Sequence, residues 1–207
     1  MTERDALLRA VCENPDDDTP RLVYADWLQE NGEEARAEFI RVQVTMARTK
    51  DSAQEDWPNW QQLCAREQEL LLAHDEDWWR ELPDAPGYRL GRLFTRGFVD
   101  VVFVTEWEPF ARDIDTILAA APVTGVSVRC HVAIAQPVVL GILSRFRTLG
   151  FDSSRDFTEA DWTALIEAPL PKLERLSLPK PEWPLKYLCR QLEARFGPRL
   201  HDSRYAL

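Results

Sequence analysis

Few residues in this chain have the type and spacing for chemistry. Asp16, Asp17 and Asp18 stand in a row, and Asp26 follows in the stretch "RLVYADWLQENG". Clustered carboxylates suggest a divalent cation or an acid–base pair, but the spacing argues against both. A calcium loop alternates its acids and carries glycine at its sixth position. Counted from Asp16, the sixth residue here is Arg21. Contiguous side chains diverge, and the plainer expectation is that these acids favour the positive end of a helix dipole. Cys130-His131 has no companion at zinc-ligand spacing, and no H-E-x-x-H occurs. Ser153-Ser154 lack a G-x-S-x-G elbow. His74, His131 and His201 have no nucleophile motif beside them, and the glycines form no phosphate loop. The expectation is therefore no catalytic residue, no cofactor and no metal. A metal-dependent hydrolase using Asp16 to Asp18 is the least favoured alternative.

The elements that would position these residues are readable from periodicity. Thr2 with Asp5 makes a capping box, and Leu7, Leu8 and Val11 continue as an apolar stripe. Thr19-Pro20 reads as cap and first helical residue of a second helix, with Leu22, Val23, Trp27 and Leu28 buried and Asn31-Gly32 as its stop. Ala35, Phe39, Val42 and Met46 predict one face of a third helix. "KDSAQED" is a polar break. A fourth helix runs through Trp60, Leu63, Cys64, Leu70 and Leu71 until Pro83, Pro86 and Gly87 end the region. Trp27 and the "DWW" at 77–79 are expected to anchor the helices, because tryptophan needs burial or a partner.

After Gly87 the texture changes to short apolar runs. One template, apolar-x-x-apolar-x-apolar, recurs as "VDVVFV" at 99–104, "VTGVSV" at 123–128, "FRTLGF" at 146–151 and "LERLSL" at 173–178. The starts lie 24, 23 and 27 residues apart, within the spacing of leucine-rich repeats. Helical segments fall between them: "EPFARDIDTILAA", "AQPVVLGILSR" and "TEADWTALIEA", the last opened by a Thr158–Asp161 capping box, with "PLKYLCRQLEARFG" after the fourth. The asparagine that follows the strand in such repeats is missing. Trp107, His131, Ser154 and Pro181 occupy its place, which predicts irregular turns.

Two features resemble a known family. "ALLRAVCENPDDDTPRLVYADWLQENGEEARAEFIRVQ" strongly resembles the bacterial repeat-companion domain, in the runs Asn14 to Asp18, Arg21 to Leu28 and Arg36 to Ile40. "LLLAHDEDWWREL" and Arg96 to Val99 resemble other parts of such proteins. The resemblance implies a leucine-rich-repeat-like body and no established activity. The expected fold is α/β: a helical repeat-companion domain over 1–87, then a leucine-rich-repeat-like array of parallel strands backed by helices over 88–207.

The net charge of −10 sits wholly in residues 1–80, which hold 19 acids and 9 bases. Nucleic-acid binding through a basic face is disfavoured, because phosphate contacts need clustered Lys and Arg. No run reaches membrane-span length. The charged opening "MTERDALLRA" and four scattered cysteines fit a reducing cytoplasm. The expected function is a non-enzymatic module that binds a protein partner through the concave strand face. By strand alternation, template positions 1, 4 and 6 point inward, and positions 3 and 5 with the residue after them point out. That puts Val101, Phe103, Thr105, Gly125, Ser127, Arg129, Thr148, Gly150, Asp152, Arg175, Ser177 and Pro179 outward. The partner-binding set is Val101, Phe103, Thr105, Ser127, Arg129, Thr148, Asp152, Arg175 and Ser177. The alternative is that the acidic helical part docks a basic partner or a second subunit.

Overall fold

In the computed structural model, which describes residues 2–50, 56–91, 93–152, 157–178 and 188–202, helix α1 (Glu3–Glu13) opens at the expected capping box, with both Thr2–Asp5 hydrogen bonds made. Strand β1 (Tyr88–Leu90) follows helices α2 (Asp18–Glu30), α3 (Glu34–Thr49) and α4 (Trp57–Arg80). Next come β2 (Phe94–Thr95), β3 (Phe98–Val99), β4 (Val101–Val104), α5 (Trp107–Ala120) and β5 (Gly125–Val128). The remainder is α6 (Pro137–Leu143), β6 (Thr148–Phe151), α7 (Glu159–Glu167), β7 (Arg175–Leu178), α8 (Leu188–Phe196), a short 3₁₀ turn (Gly197–Arg199) and β8 (Leu200–Asp202). None of the described helices is long and apolar enough to cross a membrane. The "KDSAQED" break, Ser153-Ser154, Pro179 and Pro181 lie wholly or mostly outside the described residues.

Two units divide the chain, and they are not contiguous in sequence. The first takes 1–83 with 91–100 and 116–122; the second takes 84–90, 101–115 and 123–207.

In the first unit α2 begins earlier than its sequence suggests. Asp17, not Thr19, is the cap: its Oδ1 accepts from Thr19 N–H at 2.8 Å. Aspartate is the stronger cap of the two, so the middle acid of the triplet wins. The buried side of α2 is Arg21, Tyr24, Ala25 and Leu28, while Val23 is 47% exposed. The helix is rotated from the predicted phase because Tyr24 and Arg21 turn inward to meet Phe98, at 5.9 and 5.8 Å. Helix α3 likewise buries two flanks rather than one. Ala37, Ile40 and Val44 join the α1–α2 core, and Phe39 packs on Leu70 and Trp78 of α4. A helix between two neighbours needs apolar residues on both sides, and a single-stripe pattern shows only one of them. Trp27 is half-buried, stacked on Tyr24, with its Nε1 donating to Glu3 at 3.1 Å. Trp78 and Trp79 close around Phe94.

The β2–β3 hairpin turns through Arg96 (φ 51°) and Gly97 (φ 86°), the two positive values a primed two-residue turn requires. Its tip is clamped by α3. Gln43 Oε1 accepts from Gly97 N–H at 2.7 Å, and Arg36 Nη2 donates to Gly97 O at 2.7 Å. Buried Gln43 also donates to Phe94 O and to Glu67.

All four cysteines are free thiols. Cys12 faces Ala119 O at 3.7 Å, and burial pushes its pKa up to about 12. The thiolate is the reactive form. Alkylation of the folded protein at pH 8 should therefore spare Cys12, with a rate roughly 10³-fold below that in denaturant. Peptide mapping after iodoacetamide checks this; equal labelling of Cys12 in both states would contradict it.

The second unit is built on a six-stranded sheet in the order β1-β4-β5-β6-β7-β8, antiparallel at β1–β4 and parallel elsewhere. Every apolar template position is buried, from Val99, Val102 and Val104 to Leu173, Leu176 and Leu178. The templates also pair position by position: Val101, Gly125, Thr148 and Arg175 lie in one row. Leu176 then pairs with Leu200, 24 residues on, so β8 adds a fifth strand at the same interval. It does not match the template because Gly197 and Asp202 stand where apolar residues are required. β1 carries no repeat signal either, being a three-residue edge strand outside the array.

Helix α7 opens with the expected box, and its acid reaches further than a cap. Asp161 accepts from Thr158 N–H, from Thr158 Oγ1 and, across the chain, from Ala135 N–H at 3.0 Å. It thereby ties the segment entering α6 to the start of α7.

Candidate functional site

The open face of the β1–β8 sheet gathers most of the expected contact residues. In the row Arg89, Phe103, Ser127, Gly150, Ser177, the residues pair directly across neighbouring strands. Phe103 is half-buried. The guanidinium of Arg129 lies 4.4 Å from its ring centre, and that of Arg89 lies 5.8 Å away. Cation–π attraction of this kind contributes about 0.5–1 kcal/mol at a partly exposed ring. Arg129 Nε also bonds Asp152 Oδ2 at 2.8 Å, and Ser127 Oγ reaches Asp152 Oδ1 at 3.5 Å. A continuous path therefore runs from an aromatic ring through a cation to a carboxylate, with Arg129 37% and Asp152 51% exposed.

The parallel row places Val101 and Thr148, both half-buried, beside the exposed Arg175. Among the described residues Arg175 forms no ion pair. Thr105 is exposed at the end of β4, its N–H donating to Gly87 O at 2.8 Å. Gly125 and Gly150 remove side chains from the centre of the face. A Cβ built on Gly150 would meet nothing nearer than 3.7 Å.

Two expected contacts differ from the rest. Ser127 is 4% exposed and Ser177 3%, so neither hydroxyl is open on this face. Ser127 is short and sits beneath the Arg129–Asp152 pair. The Ser177 Oγ is buried with no hydrogen-bond partner. Arg89 is an addition that sequence alternation does not reach: β1 carries no template, and only the edge pairing brings it opposite Phe103.

The residues first weighed for chemistry lie apart from one another in function. Asp17 caps α2. Asp18 pairs with Arg48 at 2.9 Å and Arg96 at 3.4 Å, and Asp26 pairs with Arg41 at 2.6 Å. Among the described residues no cluster of three His, Cys, Asp or Glu could hold a metal ion. Burial pushes the Cys130 thiol up, and neighbouring His131 is exposed.

The fold defines a mixed α/β protein with a mostly parallel sheet whose strands follow one another in chain order. Compared with protein-family models, curated proteins and solved structures, the chain finds no match.

Proposed function

We propose that the strand array is a short leucine-rich-repeat-like solenoid and that the protein is a non-enzymatic interaction module, binding a protein partner through the open strand face. The observation that carries this is the in-register face itself. Equivalent template positions pair strand to strand, and they deliver a partly exposed aromatic ring flanked by Arg89, Arg129 and Asp152. Interfaces favour such an anchor: an aromatic residue with arginine beside it, ringed by polar groups. The glycine-lined centre leaves room for a partner side chain. The resemblance of residues 6–43 to the repeat-companion domain supports the same reading, with the helical unit as companion to the repeats. Cytoplasmic residence is part of the proposal and rests on the free thiols.

The test is affinity capture from native cytoplasm, run in parallel with the Arg129→Glu/Arg175→Glu double variant. Both positions are at the surface, and the one ion pair lost is worth no more than about 1 kcal/mol. The variant should fold normally and lose the specific partner, with affinity falling about tenfold or more. An unchanged captured set would overturn the reading. The competing idea, docking through the acidic helical unit, predicts binding that survives the double variant and weakens steeply with salt. Several of that unit's acids already hold arginines, including Glu33, Glu38 and Asp26.

A further inference from the structure

A cleft of about 360 Å³ opens within the helical unit, and its wall is mostly apolar. Tyr24, Trp78, Phe94 and Phe98 contribute rings, and Ala120 and Ala121 contribute a small-residue floor. Its volume lies within the range of small-molecule sites, which are largely apolar with a few polar groups. The charged groups on the wall are Arg4, Arg36 and Glu81.

Those charges are unequally matched. Arg4 is fully engaged: Nη1 bonds Glu33 at 3.1 Å, Nη2 bonds Glu81 at 3.2 Å, and Nε donates to Tyr24 Oη at 3.2 Å. Arg36 makes no ion pair among the described residues. Its guanidinium lies 4.8 Å from the Trp78 ring centre, 5.2 Å from Phe94 and 5.6 Å from Phe39 and Phe98. One hydrogen bond goes to Gly97 O. Nη1 is buried and has no partner among the described residues. Burial lowers the pKa of the group to about 10, which leaves it charged at neutral pH. A buried guanidinium is costly when any of its donors is unmet, and the rings offset only part of that cost.

We propose that this cleft binds a small monocarboxylic acid with an aromatic or branched apolar body, its carboxylate accepting from Arg36 Nη1 and its body lying among Tyr24, Trp78 and Phe94. One unmatched positive charge fits a singly charged anion. Phosphate is a poorer fit, because a dianion with three oxygens needs several free donors and Arg36 offers a single unpartnered nitrogen. The apolar wall gives little to a hydrated ion and much to a ring. This site does not depend on the function proposed for the strand face.

Ligand-observed NMR and thermal shift with 3-phenylpropionate test the proposal on the full chain, with 3-phenylpropionamide and inorganic phosphate as parallel probes. The acid should bind and raise the unfolding midpoint in proportion to its occupancy. The amide should bind about tenfold more weakly, having lost a charge-assisted hydrogen bond, and phosphate should give no shift. Arg36→Met should abolish the preference for acid over amide. Because Arg36 also holds Gly97, a second variant avoids it: Ala120→Phe fills the cleft from its floor and should remove binding of both ring compounds while Arg36 stays in place. Equal binding of acid and amide, retained acid binding in Ala120→Phe, a shift with phosphate, or no binding of the acid would each overturn the proposal.

Discussion

Gly97→Ala should lower the stability of the helical unit by about 3–5 kcal/mol, the largest effect expected of any single methyl in this protein. Two costs combine. The residue sits at φ 86°, where an L side chain is strained by about 1–2 kcal/mol. The added Cβ would also lie 2.6 Å from Ile40 Cγ1 and 2.8 Å from Ile40 Cα. Helix backbone cannot yield as a side-chain tip does, so the hairpin must lift. Lifting breaks the bonds from Gly97 N–H to Gln43 and from Arg36 to Gly97 O, and leaves buried groups unpaired at about 1–3 kcal/mol each. Gly32→Ala separates the two costs. Gly32 has nearly the same φ, 85°, but a Cβ added there would meet nothing within 4 Å. Its substitution should cost about 1 kcal/mol. Chemical denaturation of both variants checks the difference, and equal losses would show that close packing on α3 contributes nothing.

Asp161→Ala should destabilise the strand unit by roughly 2–4 kcal/mol, combining a lost cap with unpaired Thr158 and Ala135 donors. The midpoint of that unit's transition should fall by about 6–12 °C. The loss carries a pH signature. Burial pushes the Asp161 carboxyl up, but the hydrogen bonds from Thr158 and from Ala135 N–H outweigh it and hold its pKa below the ordinary value. A carboxyl lowered on folding contributes stability above its unfolded pKa and loses it as pH falls through the folded value. Wild type and Asp161→Ala should therefore differ fully at neutral pH and converge in acid. A gap that stays constant from pH 7 to pH 2 would show that the carboxylate charge has no part in it.

Both predictions concern residues whose importance is only half legible in one dimension. Asp161 reads as a cap from Thr158 three residues before it, because capping is a local pattern. Its bond to Ala135 is not local, and no spacing rule brings 135 to 161. Gly97 stands in a family-like run, but the reason for a glycine there lies in Ile40, far away in sequence. The same division holds at the candidate site. Strand alternation alone puts Phe103, Arg129, Asp152 and Arg175 on the open face. It does not show that Arg129 stacks on Phe103, that Arg89 approaches from an antiparallel edge, or that Ser127 is covered.

The sequence by itself determined whatever depends on neighbours along the chain. Helix caps at Thr2 and Thr158, the stop at Asn31-Gly32 and the inward positions of four strands all follow from local capping chemistry and from periods of 3.6 and 2, which the backbone imposes regardless of the fold around it. Tertiary structure alone decided which flank of α2 and α3 faces the core, because each helix carries more apolar residues than one stripe and its neighbours choose among them. It also decided the fate of the acids. Asp18 finds arginines in α3 and the hairpin, and Asp26 finds Arg41. Charge pairing acts through space, so a row of aspartates that reads as a site in one dimension becomes a set of separate structural contacts in three.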